Sequence, residues 1–154
     1  GGYTIRVGGG PRPTKRQQPA MTHRVLLVVD DEPIIRTFVH EALTREDLRV
    51  EVAASGAEAL RITQDLIPDV ILLDIHMPRM DGLQTLQRLR ECPWLAGTPI
   101  IMFSVERHAD TVTHAVALGA DDYVAKPFDL PTLEAKVSHW LEARRQPANA
   151  PSSP

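Results

Sequence analysis

The sequence predicts an α/β fold in which a doubly wound, five-stranded parallel sheet of order 2-1-3-4-5 is flanked by five helices. Two observations support this fold class. Short apolar runs rich in valine, isoleucine and leucine recur along the chain, as in strands that are buried on both faces. Amphipathic segments of helical length separate these runs, and right-handed crossovers between parallel strands favour a sheet that is wound in both directions.

Length and composition indicate one soluble domain. At 154 residues, the chain has room for a single core, and its 43% hydrophobic and 24% charged residues are typical of globular proteins. No apolar stretch approaches the roughly 20 residues that cross a bilayer, and no signal peptide is evident at the start. The single cysteine, Cys92, points to a reducing compartment. We therefore expect a cytoplasmic protein that does not associate with membranes.

The folded domain is predicted to span residues 23–145. Residues 1–22 lack apolar periodicity and are interpreted as a disordered tail, either a leader before Met21 or a linker from an upstream domain. Residues 146–154 are interpreted as a disordered C-terminal tail. The first 20 residues contain basic residues and no acid, so the folded part is acidic, which argues against direct binding to nucleic acid.

The first two strand–helix units follow the opening tail. A strand over residues 24–29 leads to a helix that begins near Pro33, a residue suited to the first helical turn. The predicted apolar face of this helix consists of Ile34, Ile35, Phe38, Val39, Ala42 and Leu43. The second strand (49–53) precedes a helix in which Ser55 and Glu58 have capping-box spacing. The inward residues of this second helix are Ala59, Ile62 and Leu66.

Three further units repeat the alternation. Their strands are predicted at 70–74, 99–103 and 122–125. Pro78 and the turn dipeptide Asp81-Gly82 separate the third strand from the third helix. A less apolar fourth helix, over 108–118, ends at Gly119. The apolar faces of the third and fifth helices carry Leu83, Leu86 and Leu89, and Leu130, Leu133, Val137, Trp140 and Leu141, respectively.

Reactive side chains stand at the ends of four predicted strands. They are Asp30 and Asp31 after the first strand, Asp74 at the end of the third, Ser104 after the fourth and Lys126 after the fifth. Ligands of doubly wound sheets bind at the carboxyl ends of the strands, so we expect these groups to share one pocket. Three neighbouring carboxylates repel one another unless a cation shares the site. Oxygen ligands favour Mg²⁺, with Mn²⁺ as a substitute.

Asp74 is the candidate nucleophile of this pocket. Pro78 prevents a helix from continuing out of the strand, so the carboxylate is held at the strand tip. Attack of a carboxylate on phosphorus forms an acyl phosphate. Ser104 and Lys126 would supply a hydroxyl and a mobile ammonium to the phosphoryl oxygens. The sequence therefore predicts a metal-assisted site that accepts a phosphoryl group.

In this order and spacing, the motifs resemble the response-regulator receiver domains of two-component signalling, in particular the stand-alone chemotaxis-type regulators. The resemblance covers about residues 23–145. It rests on Asp30-Asp31, Asp74 with Met77-Pro78 and Asp81-Gly82, Ser104, and Lys126-Pro127-Phe128. It implies a flavodoxin-like fold and a role in a phosphorelay, in which a histidine kinase or a histidine phosphotransfer protein donates its phosphoryl group to Asp74.

The resemblance also implies roles for individual residues. The implied Mg²⁺ ligands are Asp31 and Asp74 directly, Asp30 largely through water, and the backbone carbonyl of His76. Tyr123 matches the aromatic residue that the family moves inward with the hydroxyl residue, here Ser104. The phosphorylated domain would then signal to a downstream protein partner through the surface of the fourth helix, the fifth strand and the fifth helix.

Three positions near the site are expected to set the lifetime of the phosphoryl group. Val105 stands where the family usually has alanine or glycine, and this larger side chain would narrow access to the acyl phosphate. His76 and Glu106, each two residues after a site residue, occupy positions that tune hydrolysis in relatives.

Two other functions stay open at this level. An aspartyl-phosphate phosphatase would usually carry a second acid two residues after the nucleophile, where this chain has His76. A pseudo-receiver would bind partners without phosphorylation, but the intact acid set, Ser104 and Lys126 argue against it. The receiver interpretation predicts no enzyme beyond self-catalysed phosphorylation and dephosphorylation. It leaves open the cognate kinase, the output pathway, and whether the protein is a monomer or a phosphorylation-dependent dimer.

Overall fold

The structure, a computed structural model, describes residues 23–105 and 108–145. The predicted tails, 1–22 and 146–154, and the predicted tuning residue Glu106 lie outside the described residues. Within the described part of the chain, strands and helices alternate from the first strand to the fifth helix, as the sequence pattern predicts.

Five parallel strands form one sheet in the predicted order, β2-β1-β3-β4-β5. The strands are β1 (Arg24–Val29), β2 (Leu48–Ala53), β3 (Val70–Asp74), β4 (Ile100–Ser104) and β5 (Asp122–Ala125). Each begins and ends within one residue of its predicted bounds. Both β3 and β4 are buried at every position, because helices cover the two faces of the sheet. The strand order reverses between β1 and β3, which places the switch point at the ends of these two strands.

Five helices flank the sheet. They are α1 (Pro33–Leu43), α2 (Gly56–Ile62), α3 (Gly82–Arg90), α4 (Ala109–Ala117) and α5 (Leu130–Arg145), and a short 3-10 helix, Pro93–Leu95, precedes β4. The predicted Ser55 cap of α2 is confirmed, since its hydroxyl accepts from the Glu58 amide at 3.1 Å. The Glu58 carboxylate accepts from the Ala54 amide at 2.7 Å, one residue before the cap, so the return bond differs from that of a capping box. None of the described helices is both long and apolar enough to span a bilayer.

Two apolar layers enclose the sheet. On one face of β1, Leu27 and Val29 pack with residues from α2, α3 and α4, and on the other face Leu26 and Val28 pack with residues from α1 and α5. The helix residues of these layers are Ala59, Leu86, Leu89 and Ala115 on the first face, and Val39, Leu43, Leu133, Val137 and Leu141 on the second. Full burial of a large apolar side chain contributes about 1.5–3 kcal/mol. These layers therefore hold the strand ends in register.

The predicted burial of three apolar residues is wrong. Ile34, expected on the buried face of α1, is 79% exposed, and Phe38, four residues later, is 44% exposed. Successive helical residues are about 100° apart, so when Val39 and Leu43 cover the sheet the stripe through Ile34 turns towards solvent. Leu66, expected on the inward side of α2, lies beyond the end of that helix and is half-buried.

Arg90 joins several elements at the amino end of the sheet. Its guanidinium donates to the carbonyl oxygens of Gly119 and Leu95, at 3.0 and 2.9 Å. It also donates to the Asp121 carboxylate at 2.9 Å, and the same carboxylate accepts from the Ile100 amide at 2.9 Å. One side chain therefore links the end of α3 to the starts of β4 and β5 and to Gly119, two residues beyond the end of α4.

Replacement of Arg90 by alanine should lower the free energy of unfolding by about 2 kcal/mol, because charge-assisted hydrogen bonds are lost and carbonyl oxygens lose their donor. Arg88→Ala, at an exposed position of the same helix, is the matched control and should change this free energy by less than about 0.5 kcal/mol. Urea denaturation followed by circular dichroism measures both. Equal losses in the two variants would contradict the linking role of Arg90.

Candidate functional site

Asp30 and Asp31 follow the carboxyl end of β1. Asp30 is fully buried, and Asp31 is half-buried. One carboxylate oxygen of Asp30 accepts from the Glu32 amide at 2.9 Å, and its backbone carbonyl accepts from the Arg36 guanidinium at 2.8 Å. The Asp30 amide donates to the Ala53 carbonyl at 3.1 Å, which continues the pairing of β1 with β2. The sheet and the start of α1 together fix the position of Asp30.

Asp74 ends β3, next to these two acids. Its side chain is almost completely buried, and one oxygen from each of Asp30, Asp31 and Asp74 lies within 4.8 Å of the others. One Asp74 oxygen accepts from the amide of His76 at 3.3 Å. The structure thus brings the three predicted acids together, and three carboxylates at this spacing could hold a divalent cation.

Lys126 follows β5, and its ammonium lies among the acids. The Nζ atom is 2.9 Å from Asp30 Oδ2 and 3.6 Å from Asp74 Oδ1. It is also 3.1 Å from Glu32 Oε1, and the centroid of the Phe103 ring lies 4.8 Å away. The side chain is 11% exposed, so the ammonium is held between charges rather than hydrated at the surface.

Sequence reasoning misses the contacts that Glu32 and Phe103 make with Lys126. Glu32 follows the acid pair in the chain, but an acid before the first turn of a helix is commonly a solvated residue. Phe103 belongs to a wholly apolar strand, where a core position is the ordinary expectation. Only adjacency to a predicted site residue could have singled out either one.

Ser104 and Tyr123 lie on adjacent strands. Ser104 ends β4 and is fully buried, and its carbonyl oxygen accepts from the Lys126 amide at 2.9 Å. The pairing of β3 with β4 places Asp74 opposite Phe103, so Ser104 lies one residue beyond the level of Asp74. Tyr123 lies on β5 and is half-buried against the first apolar layer. Ser104 pairs with Ala125 of β5 and Tyr123 pairs with Met102 of β4, so the hydroxyl and aromatic residues lie two positions apart along this strand pair.

The loop after Asp74 packs tightly against the end of β3. The Gly82 amide donates to the Ile75 carbonyl at 2.7 Å, and a Cβ atom on Gly82 would lie 2.0 Å from the Asp74 carbonyl oxygen. Asp81 is the N-cap of α3: its carboxylate accepts from the Gln84 amide at 2.8 Å, and the Gln84 side chain accepts from the Asp81 amide at 2.9 Å. The prediction that Asp81-Gly82 is a turn dipeptide is therefore wrong. The pair begins a helix, and the close packing requires glycine.

Two of the three predicted tuning residues can be placed. Val105 directly follows β4 and is 62% exposed. His76, two residues after Asp74, is also exposed. Both side chains therefore lie on the surface, close in the chain to a site residue, and neither is part of the core.

Burial and neighbouring charges change the pKa values of Asp74 and Lys126. Removal from water raises the pKa of Asp74 from 3.8 to about 7, and the negative charge of Asp30 adds to this rise, while Lys126 opposes it. For Lys126, burial favours the neutral amine, but the hydrogen bond to Asp30 and the charge of Asp74 outweigh it and raise the pKa. The pocket therefore holds one firmly charged ammonium and more carboxylates than that cation can neutralise.

The sequence is similar to known signalling proteins over most of its length. A model of the response regulator receiver domain matches residues 26–138. The regulatory protein AtoC of Escherichia coli (strain K12) is 37% identical over 117 residues, which are 76% of this chain and 25% of that protein. The transcriptional regulatory protein AfsQ1 of Streptomyces coelicolor is 37% identical over 112 residues, which are 73% of this chain and 48% of that protein. The chain thus spans between a quarter and a half of the length of these relatives.

Solved structures show the same fold. The chemotaxis response regulator CheY4 of Vibrio cholerae superposes with a TM-score of 0.73 at 34% identity, over 77% of this chain and 99% of that chain. The receiver domain of the Francisella response regulator 1452 superposes with a TM-score of 0.72 at 30% identity, over 79% of this chain and 98% of that chain. The structural similarity therefore covers nearly the whole of both solved chains and more than three quarters of this chain.

Proposed function

The chain belongs to the response regulator receiver domain family, and we propose that it accepts a phosphoryl group on Asp74 from a phosphohistidine of a sensor kinase or a histidine phosphotransfer protein. One observation carries this proposal. Asp74 is buried at a strand end with two further carboxylates within 4.8 Å and an ammonium at 3.6 Å. Crowding three acids at a buried site destabilises a fold, so the arrangement is better explained by chemistry than by stability.

In the transfer step, a carboxylate oxygen of Asp74 forms a bond to phosphorus while the bond from phosphorus to the donor histidine nitrogen breaks. The electron pair of the broken bond stays on that nitrogen, and the histidine, protonated on its other ring nitrogen, leaves as neutral imidazole. The Lys126 ammonium then moves onto a phosphoryl oxygen, and the Ser104 hydroxyl donates a hydrogen bond to another. The short distance from Lys126 to Asp74 supports this role, because a small movement suffices.

Phosphorylation is read on the face formed by α4, β5 and α5. Ser104 moves towards the phosphoryl group, and Tyr123 moves inward with it, which changes the surface presented to a downstream protein partner. The places of a buried Ser104 and a half-buried Tyr123 on adjacent strands support this coupling. We assign this exchange to the cytoplasm, between proteins, without direct contact with nucleic acid or membrane.

Mg²⁺ is the cation that we assign to the pocket, with Mn²⁺ as a substitute. Receiver domains bind Mg²⁺ at an acidic pocket, and the three acids grouped here provide the oxygen ligands that this ion prefers. Asp31 and Asp74 would hold the ion directly, Asp30 largely through water, and the backbone carbonyl of His76 would add a further oxygen. When bound, the ion neutralises charge on the phosphoryl oxygens and on Asp74.

Mg²⁺ binding should weaken as the pH falls below about 7, because the ion needs the ionised Asp74 carboxylate and the raised pKa of this group lies at about 7. The expected loss is about tenfold in affinity for each pH unit below that value, with a constant affinity above it. Isothermal titration calorimetry between pH 5.5 and 8.5 measures this dependence. An affinity that does not vary with pH across this range would contradict the assignment of Asp74 as a direct ligand.

Incubation with Mg²⁺ and phosphoramidate, followed by intact-mass measurement, tests the proposed function. We expect the gain of one phosphoryl group, and we expect no gain in Asp74→Ala or after a chelator has removed Mg²⁺. If neither phosphoramidate nor a panel of phosphorylated histidine kinases adds a phosphoryl group, the proposal is wrong and a domain that binds partners unphosphorylated replaces it. Rapid turnover of unrelated phosphomonoesters would instead identify a phosphatase.

A further inference from the structure

Glu32 stands at the N-terminal cap of α1, but its side chain does not cap the helix. It is the N-cap residue of α1, where serine, threonine, aspartate or asparagine normally accepts a hydrogen bond from the first turn. Its side chain makes no such bond. The carboxylate instead lies 3.1 Å from Lys126 Nζ, although 94 positions separate the two residues in the chain. The side chain is therefore directed to the pocket rather than to its own helix.

The geometry points to Glu32 as a positioning residue that holds the Lys126 ammonium in its unphosphorylated place and must release it when Asp74 is phosphorylated. This inference rests on the proposed function. The ammonium is shared by Asp30 at 2.9 Å and Glu32 at 3.1 Å and lies further, at 3.6 Å, from Asp74. The resting position thus favours the first two acids over the acceptor.

Arrival of a phosphoryl group reverses that preference. A doubly charged phosphoryl group on Asp74 attracts the ammonium more strongly than a single carboxylate does, and it repels the nearby Glu32 carboxylate. Asp30 is buried in the pocket, whereas the Glu32 side chain is 60% exposed and can turn into water. Glu32 is therefore the partner that Lys126 gives up at the lowest free-energy cost, and its hold on the ammonium opposes phosphorylation.

Two substitutions of Glu32 distinguish the effect of its contact with Lys126 from the effect of its negative charge. Glu32→Asp keeps the negative charge and is a favoured N-cap residue, but its side chain is one methylene shorter and loses the contact with Lys126. Glu32→Gln keeps the length and removes the charge. Glu41→Gln is the matched control, since it removes the same charge from an exposed position about 13 Å further along α1.

The rate of phosphorylation by Mg²⁺ and phosphoramidate, followed by intact mass, is the main measurement. Both Glu32 variants should be phosphorylated up to about fivefold faster than the wild type, the range that a partly exposed ion pair of this kind can supply, and Glu41→Gln should match the wild type. If Glu32→Asp reacts at the wild-type rate, the contact does not restrain Lys126, even if Glu32→Gln is faster, and the inference is wrong. A wild type that accepts no phosphoryl group would remove the proposed function and this inference with it.

Carbon-13 NMR of the Lys126 Cε atom provides a readout that a purely structural role would not produce. The resonance should differ between the wild type and Glu32→Asp before phosphorylation, and the difference should vanish after phosphorylation, when Lys126 has left Glu32 in both. A difference that persists unchanged in the phosphorylated proteins would show that Lys126 stays with Glu32, which would overturn the release step.

Discussion

Asp74→Asn is expected to make the metal-free protein more stable at neutral pH while it abolishes phosphoryl acceptance. The amide cannot attack phosphorus as a carboxylate does, so the acceptor is lost. It also carries no charge, so the destabilising burial of Asp74 beside Asp30 is relieved. We expect a gain of about 2 kcal/mol in the free energy of unfolding at pH 8, since each unit of pKa shift corresponds to about 1.36 kcal/mol and asparagine recovers part of it.

The same substitution should change how stability depends on pH. The pKa of Asp74 is 3.8 in the unfolded chain and about 7 in the fold. Between these values the folded state binds a proton that the unfolded state has released, so the contribution of Asp74 to stability falls as the pH rises from about 4 to about 7 and is constant above that. In Asp74→Asn this fall should be absent.

Chemical denaturation at a series of pH values, without divalent cations, measures both effects. Asp65→Asn, at an exposed position after α2, is the control and should leave the wild-type profile unchanged. If the difference in stability between the variant and the wild type does not grow as the pH rises from about 4 to about 7, burial does not oppose the ionisation of Asp74. A variant that is less stable than the wild type at pH 8 would lead to the same conclusion.

Gly82→Ala is expected to lower the free energy of unfolding by about 3 kcal/mol and to slow phosphoryl acceptance. The added methyl group would lie 2.0 Å from the Asp74 carbonyl oxygen and 2.5 Å from the Ile75 Cα atom. These are backbone atoms, so α3 or the end of β3 must shift, and overpacking of this kind is destabilising. Because Asp74 is the residue displaced, we expect stability and reactivity to be lost together.

Gly97→Ala is the matched control for this substitution. A Cβ atom there meets only a terminal nitrogen of the Arg144 side chain, at 3.1 Å, which can move away. Its stability should stay within about 0.5 kcal/mol of the wild type. Thermal denaturation gives the stabilities, and intact mass after treatment with phosphoramidate gives the reactivity. A Gly82→Ala protein with wild-type stability and wild-type reactivity would contradict the close approach of α3 to β3.

Most of the fold could be predicted because its signals are local. The buried runs of β1, β3 and β4 are apolar at nearly every position, so their bounds are predicted within one residue. The Ser55 cap likewise depends on residues only a few positions away. The predictions fail where three-dimensional packing decides how a helix is oriented or where it ends. The orientation of α1 leaves Ile34 exposed, and α2 stops before Leu66.

The sequence determines the fold class, the order of the strands and the set of side chains at one edge of the sheet. It does so because hydrophobic periodicity specifies the strands and parallel strands deliver their carboxyl ends to the same edge. Only the tertiary structure decides how those side chains interact. The raised pKa of Asp74, the hold of Glu32 on Lys126 and the need for glycine at Gly82 all depend on distances of a few ångströms. These distances are set when α1 and α3 pack against the sheet, and no local pattern in the chain records them.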